Sequence, residues 1–118
     1  REVSFVNVPM HIIPFIAIKG KFSIKFVFIH RHYANIKDIK FDLIIDDGLH
    51  TYEANINTFE ILYPLLDKQN GTYFIEDIIF KDLKKYYSYF GSKYNIKIVE
   101  CLNTNENYQN CLIQIKNN

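Results

Sequence analysis

The 118-residue sequence predicts an α/β fold: an incomplete, mostly parallel sheet closed by a C-terminal antiparallel hairpin. Three observations carry this expectation. FDLIID at 41–46 is a nearly continuous apolar run, the pattern of a strand covered on both faces. A helical stripe follows it, and the strand-then-helix pair recurs once, which calls for parallel strands joined by right-handed crossovers. Two alternating segments, 94–102 and 111–117, then end the chain and suit a hairpin at the sheet edge.

The elements are read in order from the pattern. VSFVNV at 3–8 and IIPFIAI at 12–18 are short β-rich runs, and Pro14 assigns the second to an edge or irregular strand. KFSIKFVFIH at 21–30 alternates, with Phe22, Ile24, Phe26 and Phe28 on one face, whereas 30–40 is polar and reads as a loop. After FDLIID, the residues Ile56, Phe59, Leu62, Tyr63 and Leu66 recur at steps of three and four. They predict a helix with Glu53, Asn55, Asn57 and Glu60 on its polar side. Pro64 should bend or end that helix, and Asn70-Gly71 reads as a left-handed stop. GTYFIEDI at 71–78 is the second buried strand, and a helix over 79–90 presents Phe80, Leu83, Tyr87 and Phe90 before Gly91.

Composition narrows the function. Nearly half the residues are hydrophobic (48%) and 16% are aromatic, enough for a packed core in one domain. The formal net charge is +1, so no overall field favours nucleic acid or an anionic membrane. The short clusters His30-Arg31-His32 and Lys84-Lys85 read as solvated surface. No apolar run approaches the ~18 residues that a membrane helix needs. A hairpin could set Cys101 and Cys111 face to face, but two cysteines make no disulfide framework, and they are read as reduced thiols of a cytoplasmic protein. The chain opens at Arg1 rather than Met, which suggests a fragment.

The chemistry gathers at two acid pairs. Ligands of open parallel sheets bind outside the carboxyl ends of the strands. Asp46-Asp47 follows the first central strand and Glu76-Asp77 the second. If the strands are neighbours, three or four carboxylates converge within roughly one ladder spacing of ~5 Å. Carboxylates that close repel unless a cation neutralises them, and a hard divalent ion such as Mg²⁺ is the natural partner. A plainer reading stands beside this one, because Asp47-Gly48 by itself makes a good turn. His50 lies three residues past Asp47, either as a base near neutral pH or as a solvated residue of the first helical turn.

These residues carry a resemblance. Asp46-Asp47-Gly48-Leu49-His50, Thr58-Phe59-Glu60, Leu62-Tyr63-Pro64, Gly71 and Ile75-Glu76-Asp77 resemble the second half of a class I S-adenosylmethionine-dependent methyltransferase. More narrowly, they are similar to the metal-dependent sugar O-methyltransferases of the macrolide-tailoring type. The resemblance covers about residues 41–78. It implies a Rossmann-like methyltransferase sheet of which 41–118 is the C-terminal half and 1–40 a degenerate or truncated set of N-terminal strands. It further implies that Asp47, Glu76 and Asp77 hold a divalent metal and that His50 deprotonates the hydroxyl of a small, sugar-type acceptor. The methyl group would come from S-adenosylmethionine. Leu49 stands where that family has Ser. The family's glycine-rich cofactor loop has no counterpart, since the four glycines at 20, 48, 71 and 91 form no G-x-G. The competing expectation is a non-catalytic remnant or interaction module that keeps half of this fold. A haloacid-dehalogenase-like phosphotransfer site is set aside, because its Asp-x-Asp-Gly pattern would need an acid where Ile45 stands.

Overall fold

A computed structural model of the chain describes residues 11–19, 22–29, 40–105 and 107–118. The expected strand at 3–8, the loop over 30–39 with its His30 and His32, and Gly20 lie outside the described residues. Among the described residues the architecture is a six-stranded mixed sheet with two α-helices. In chain order the strands are β1 (His11–Lys19), β2 (Phe22–Ile29), β3 (Leu43–Asp46), β4 (Thr72–Ile79), β5 (Tyr94–Cys101) and β6 (Gln109–Asn117). Helix α1 (Tyr52–Leu62) joins β3 to β4, and α2 (Leu83–Phe90) joins β4 to β5. The order across the sheet is β2-β1-β3-β4-β6-β5.

One pairing is parallel, that of β3 with β4 across the α1 crossover. The other four are antiparallel, so the expectation of a mostly parallel sheet is corrected. The cause lies upstream of residue 41. Strands β1 and β2 are joined over two residues, a connection that permits only antiparallel pairing. The hairpin then docks β1 against β3, from Phe15↔Asp46 to Ile18↔Leu43. β1 is therefore an interior strand rather than an edge. Its register breaks between Ile12 and Phe15, where Pro14 has no N–H to give a ladder.

Downstream, α1 buries Phe59 and Leu62 as its stripe predicts, but Asn55, expected on the polar side, is buried as well and Ile56 is only half-buried. Thr51 caps it, with Oγ1 accepting from the Ala54 N–H at 3.3 Å, and Glu53 adds a favourable charge to the first turn. Pro64 ends the α-helix at Leu62 and begins a 3₁₀ turn, Tyr63–Leu65. Gly71 is not a left-handed stop. A Cβ there would run into the Asp67 carbonyl and the Leu66 side chain, so close approach is what requires glycine. Phe59 lies at the centre of the core, stacked on Tyr63 and edge-on to Tyr73, Phe90 and Tyr94, with ring centroids 4.6–5.3 Å away. Helix α2 buries Leu83, Tyr86 and Phe90 and leaves Tyr87 largely in solvent, a shift of one residue from the expected stripe. A 3₁₀ turn over Phe80–Asp82 delays the start of the helix to Leu83.

Cys101 and Cys111 face each other across the β5–β6 ladder and form a disulfide. The expectation of two reduced thiols is corrected by that register, which brings their Cα atoms to 4.2 Å. No described helix is long and apolar enough to cross a membrane.

Candidate metal centre

The parallel register builds the site. Asp46 pairs with Ile75, so the chain leaves β3 at the level where β4 reaches Glu76-Asp77. β4 does not finish at those acids, as the sequence suggests; it runs on to Ile79. Between Ile75 and Ile78 it carries one more residue than β6 has between Ile113 and Cys111, the signature of a β-bulge. Asp77 sits in that bulge with φ 55°, a left-handed conformation that aspartate tolerates better than most residues. His50, in the loop after β3, is also left-handed at φ 64°. These are the two non-glycine residues with positive φ among those described, and both point into one cluster. Backbone strain gathered at a candidate site is a feature of functional geometry.

Ligand atoms of Asp47, His50 and Asp77 lie within 4.8 Å of one another. His50 Nε2 is 3.2 Å from Asp47 Oδ1 and 3.4 Å from Asp77 Oδ2. The opposite ring nitrogen, Nδ1, is 3.3 Å from Gln109 Oε1 at the start of β6. An imidazole fixed on one side by an amide and facing two carboxylates on the other is oriented like a metal-binding histidine. Asp47 and Asp77 are about half exposed (side chains 51% and 45%), which leaves the cluster open to solvent.

Glu76 does not join the cluster. It neighbours it electrostatically: burial, then the charges of Asp47 and Asp77, raise its carboxyl above the usual range, and His50 opposes the shift. Asp46, given no role by the sequence, lies beneath the loop. It is fully buried, and neither carboxylate oxygen has a hydrogen-bond partner of ordinary geometry. Burial pushes its pKa to about 7, the nearby Gly48 amide counters part of the shift, and the charge of Asp47 adds to it. The adjacent core holds a second orphan, the Tyr73 hydroxyl, while Asn55 Nδ2 donates to the Tyr86 hydroxyl at 2.7 Å.

Comparisons with protein-family models, curated proteins and solved structures found no match.

Sequence reasoning missed Gln109 and the buried position of Asn55. Gln109 reaches His50 through an irregularity: β6 carries an extra residue opposite the Ile78–Ile79 step, and no pattern announces it. The signal for Asn55 was available. It lies four residues before Phe59, on the buried side of the stripe.

Proposed function

We propose that Asp47, His50 and Asp77 hold a divalent cation, and that this site prepares the hydroxyl of a small, sugar-type acceptor for O-methyl transfer. The observation that carries the reading is the convergence of two carboxylates and one imidazole within 4.8 Å where two parallel strands deliver them. The residues present fit such an ion. Two carboxylates would offset its charge, and the half-exposed cluster leaves positions for an oxygen of the acceptor. One imidazole among carboxylates suits Mn²⁺ as well as the expected Mg²⁺. A bound divalent ion supplies charge that lowers the cost of forming an alkoxide-like oxygen. His50 serves either as a ligand through Nε2 or as the acceptor of the hydroxyl proton at that atom, with Gln109 holding the ring in place.

The described residues do not fit S-adenosylmethionine. Antiparallel β1 lies beside β3, where a cofactor-binding strand of the resembled family would be parallel. Gly48, Gly71 and Gly91 lie in separate connections and at a helix end, and no two of them form a glycine-rich cofactor loop. The same observation favours a second reading, a non-catalytic cation-binding module that retains half of a methyltransferase fold. Calorimetry with Mn²⁺ first and S-adenosylmethionine second separates the two. One cation per chain, followed by cofactor binding, supports the transferase; cation binding alone supports the module. Absence of cation binding removes both.

A further inference from the structure

FDLIID has the pattern of a strand covered on both faces, but the described helices cover only one. From β3 to β4 and from β4 to β5 the chain moves the same way across the sheet, so right-handed crossovers set α1 and α2 on the same side. The helices meet there over Tyr73, with Phe59 edge-on to Phe90 and Asn55 bonded to the Tyr86 hydroxyl. Among the described residues no helix covers the opposite face. Leu43 and Ile45 of β3, Phe74 of β4 and Leu112 of β6 lie on it, each half-buried and none within the core cluster. The charges of this face are segregated along the strands. Glu76 and Glu100 flank Leu112 at the end nearest the candidate metal centre. Lys116 lies on the same side of β6, four residues further on, with the level of Phe74 halfway between. Among the described residues neither Lys116 nor Glu100 makes an ion pair.

We propose that a second copy of the chain closes this face, sheet against sheet. A two-fold axis crossing the strands at the level of Phe74 lays each strand over its own counterpart, running the opposite way. Phe74 then meets Phe74 of the other copy. The stem of Lys116 from one copy lies over Leu112 of the other, and its ammonium stands between Glu76 and Glu100, each about one ladder spacing of ~4.8 Å to the side. Symmetry makes this contact twice, which is the self-complementarity that an isologous interface needs. A purely apolar cover, such as a lipid surface, would strand all three charges. The area fits as well. Strands ~4.8 Å apart, all but β3 eight or nine residues long, offer a face of roughly 29 by 26 Å. That is close to the ~800 Å² per partner of a stable complex. The two candidate metal centres would lie at opposite ends of the sandwich, and the proposal does not depend on their binding a cation.

Sedimentation equilibrium of the whole chain, in EDTA at pH 7, tests it. A dimer is expected, with a dissociation constant in the micromolar range or below, as interfaces of this size give. Phe74→Lys sets two like charges face to face on the axis and should leave a monomer with unchanged far-ultraviolet circular dichroism. A charge exchange separates this interface from any other. Lys116→Glu and Glu100→Lys should each weaken dimerisation about tenfold or more, because like charges then face one another. Mixed in equal amounts, the two variants should pair with each other and recover an affinity near wild type. Both positions are exposed, so the mixing experiment stands whether or not Phe74→Lys folds. A monomer at every concentration up to about 1 mM, a dimer that survives Phe74→Lys, or a mixture no tighter than its components overturns the proposal.

Discussion

His50 Nε2 stands 3.4 Å from Asp77 Oδ2, so a single imidazole ties the loop after β3 to the bulge in β4. Both partners hold left-handed backbone to make the contact. His50→Gly tests what that geometry costs. Relief of left-handed strain, ~1–2 kcal/mol, is offset in part by the ~0.5–1 kcal/mol that glycine loses in backbone entropy. Urea unfolding in EDTA should therefore give a stability within about 1 kcal/mol of wild type, while cation affinity falls sharply. A large loss of stability would mean that the imidazole is a structural strut.

Gly48 is fixed by the acid two residues before it. A Cβ at Gly48 would lie 2.8 Å from Asp46 Oδ1, whose carboxylate is buried and has little room to retreat. Gly48→Ala should cost about 1–3 kcal/mol, the usual range for overpacking. In the background of Asp46→Ala, where the blocking oxygen is gone, the same change should cost much less. A double-mutant cycle measures the difference, and strict additivity would refute the proposed clash.

Asp46 should also make stability depend on pH in the direction opposite to most carboxylates. Its pKa in the fold is about 7 because burial disfavours the charged form. In the unfolded chain an aspartate titrates near ~3.9. Between those values the folded state keeps a proton that the unfolded state has lost. Stability should thus fall as pH rises from about 4 to about 7 and level off above, by a few kcal/mol in all. Asp46→Asn removes the charge and should flatten that slope. Urea melts from pH 4 to 8 in EDTA check the sign; a wild-type slope retained by the variant would assign it to another group.

The disulfide closes a short loop between β5 and β6. Cross-links of this loop length stabilise by roughly 2–3 kcal/mol. Reduction, or the Cys101→Ser and Cys111→Ser pair, should lower the melting temperature by several degrees. Because Gln109 enters β6 two residues before Cys111, cation affinity should drop modestly as well. Thermal unfolding with and without reductant, followed by a Mn²⁺ titration, measures both effects.

What could be read from the sequence follows local rules. The stripe through Phe59 and Leu62, the stop at Pro64 and the alternation of β6 each depend on a period or a single residue, and the structure keeps them. The carboxylates Asp47 and Asp77 could be paired because parallel β3 and β4 bring Asp46 level with Ile75, although β4 runs on past its acids. The remainder depended on non-local pairing. Whether β1 runs parallel or antiparallel to β3 is decided by a hairpin whose own pattern is neutral on the matter. Glu76 and Asp77 look equivalent in sequence, but the bulge sends Asp77 to His50 and leaves Glu76 out of the cluster. The cysteine pairing likewise follows from a register that spacing alone does not set.

The most direct measurement is a Mn²⁺ titration of the full chain by electron paramagnetic resonance, beside Asp47→Asn and Asp77→Asn. One saturable site per chain is expected in the wild type. Each variant should bind about tenfold more weakly or worse, no less than the ~10–100-fold lost when a mere supporting residue of a metal site is changed. Wild-type affinity in both variants, or no saturable binding in the wild type, would contradict a metal centre at Asp47, His50 and Asp77.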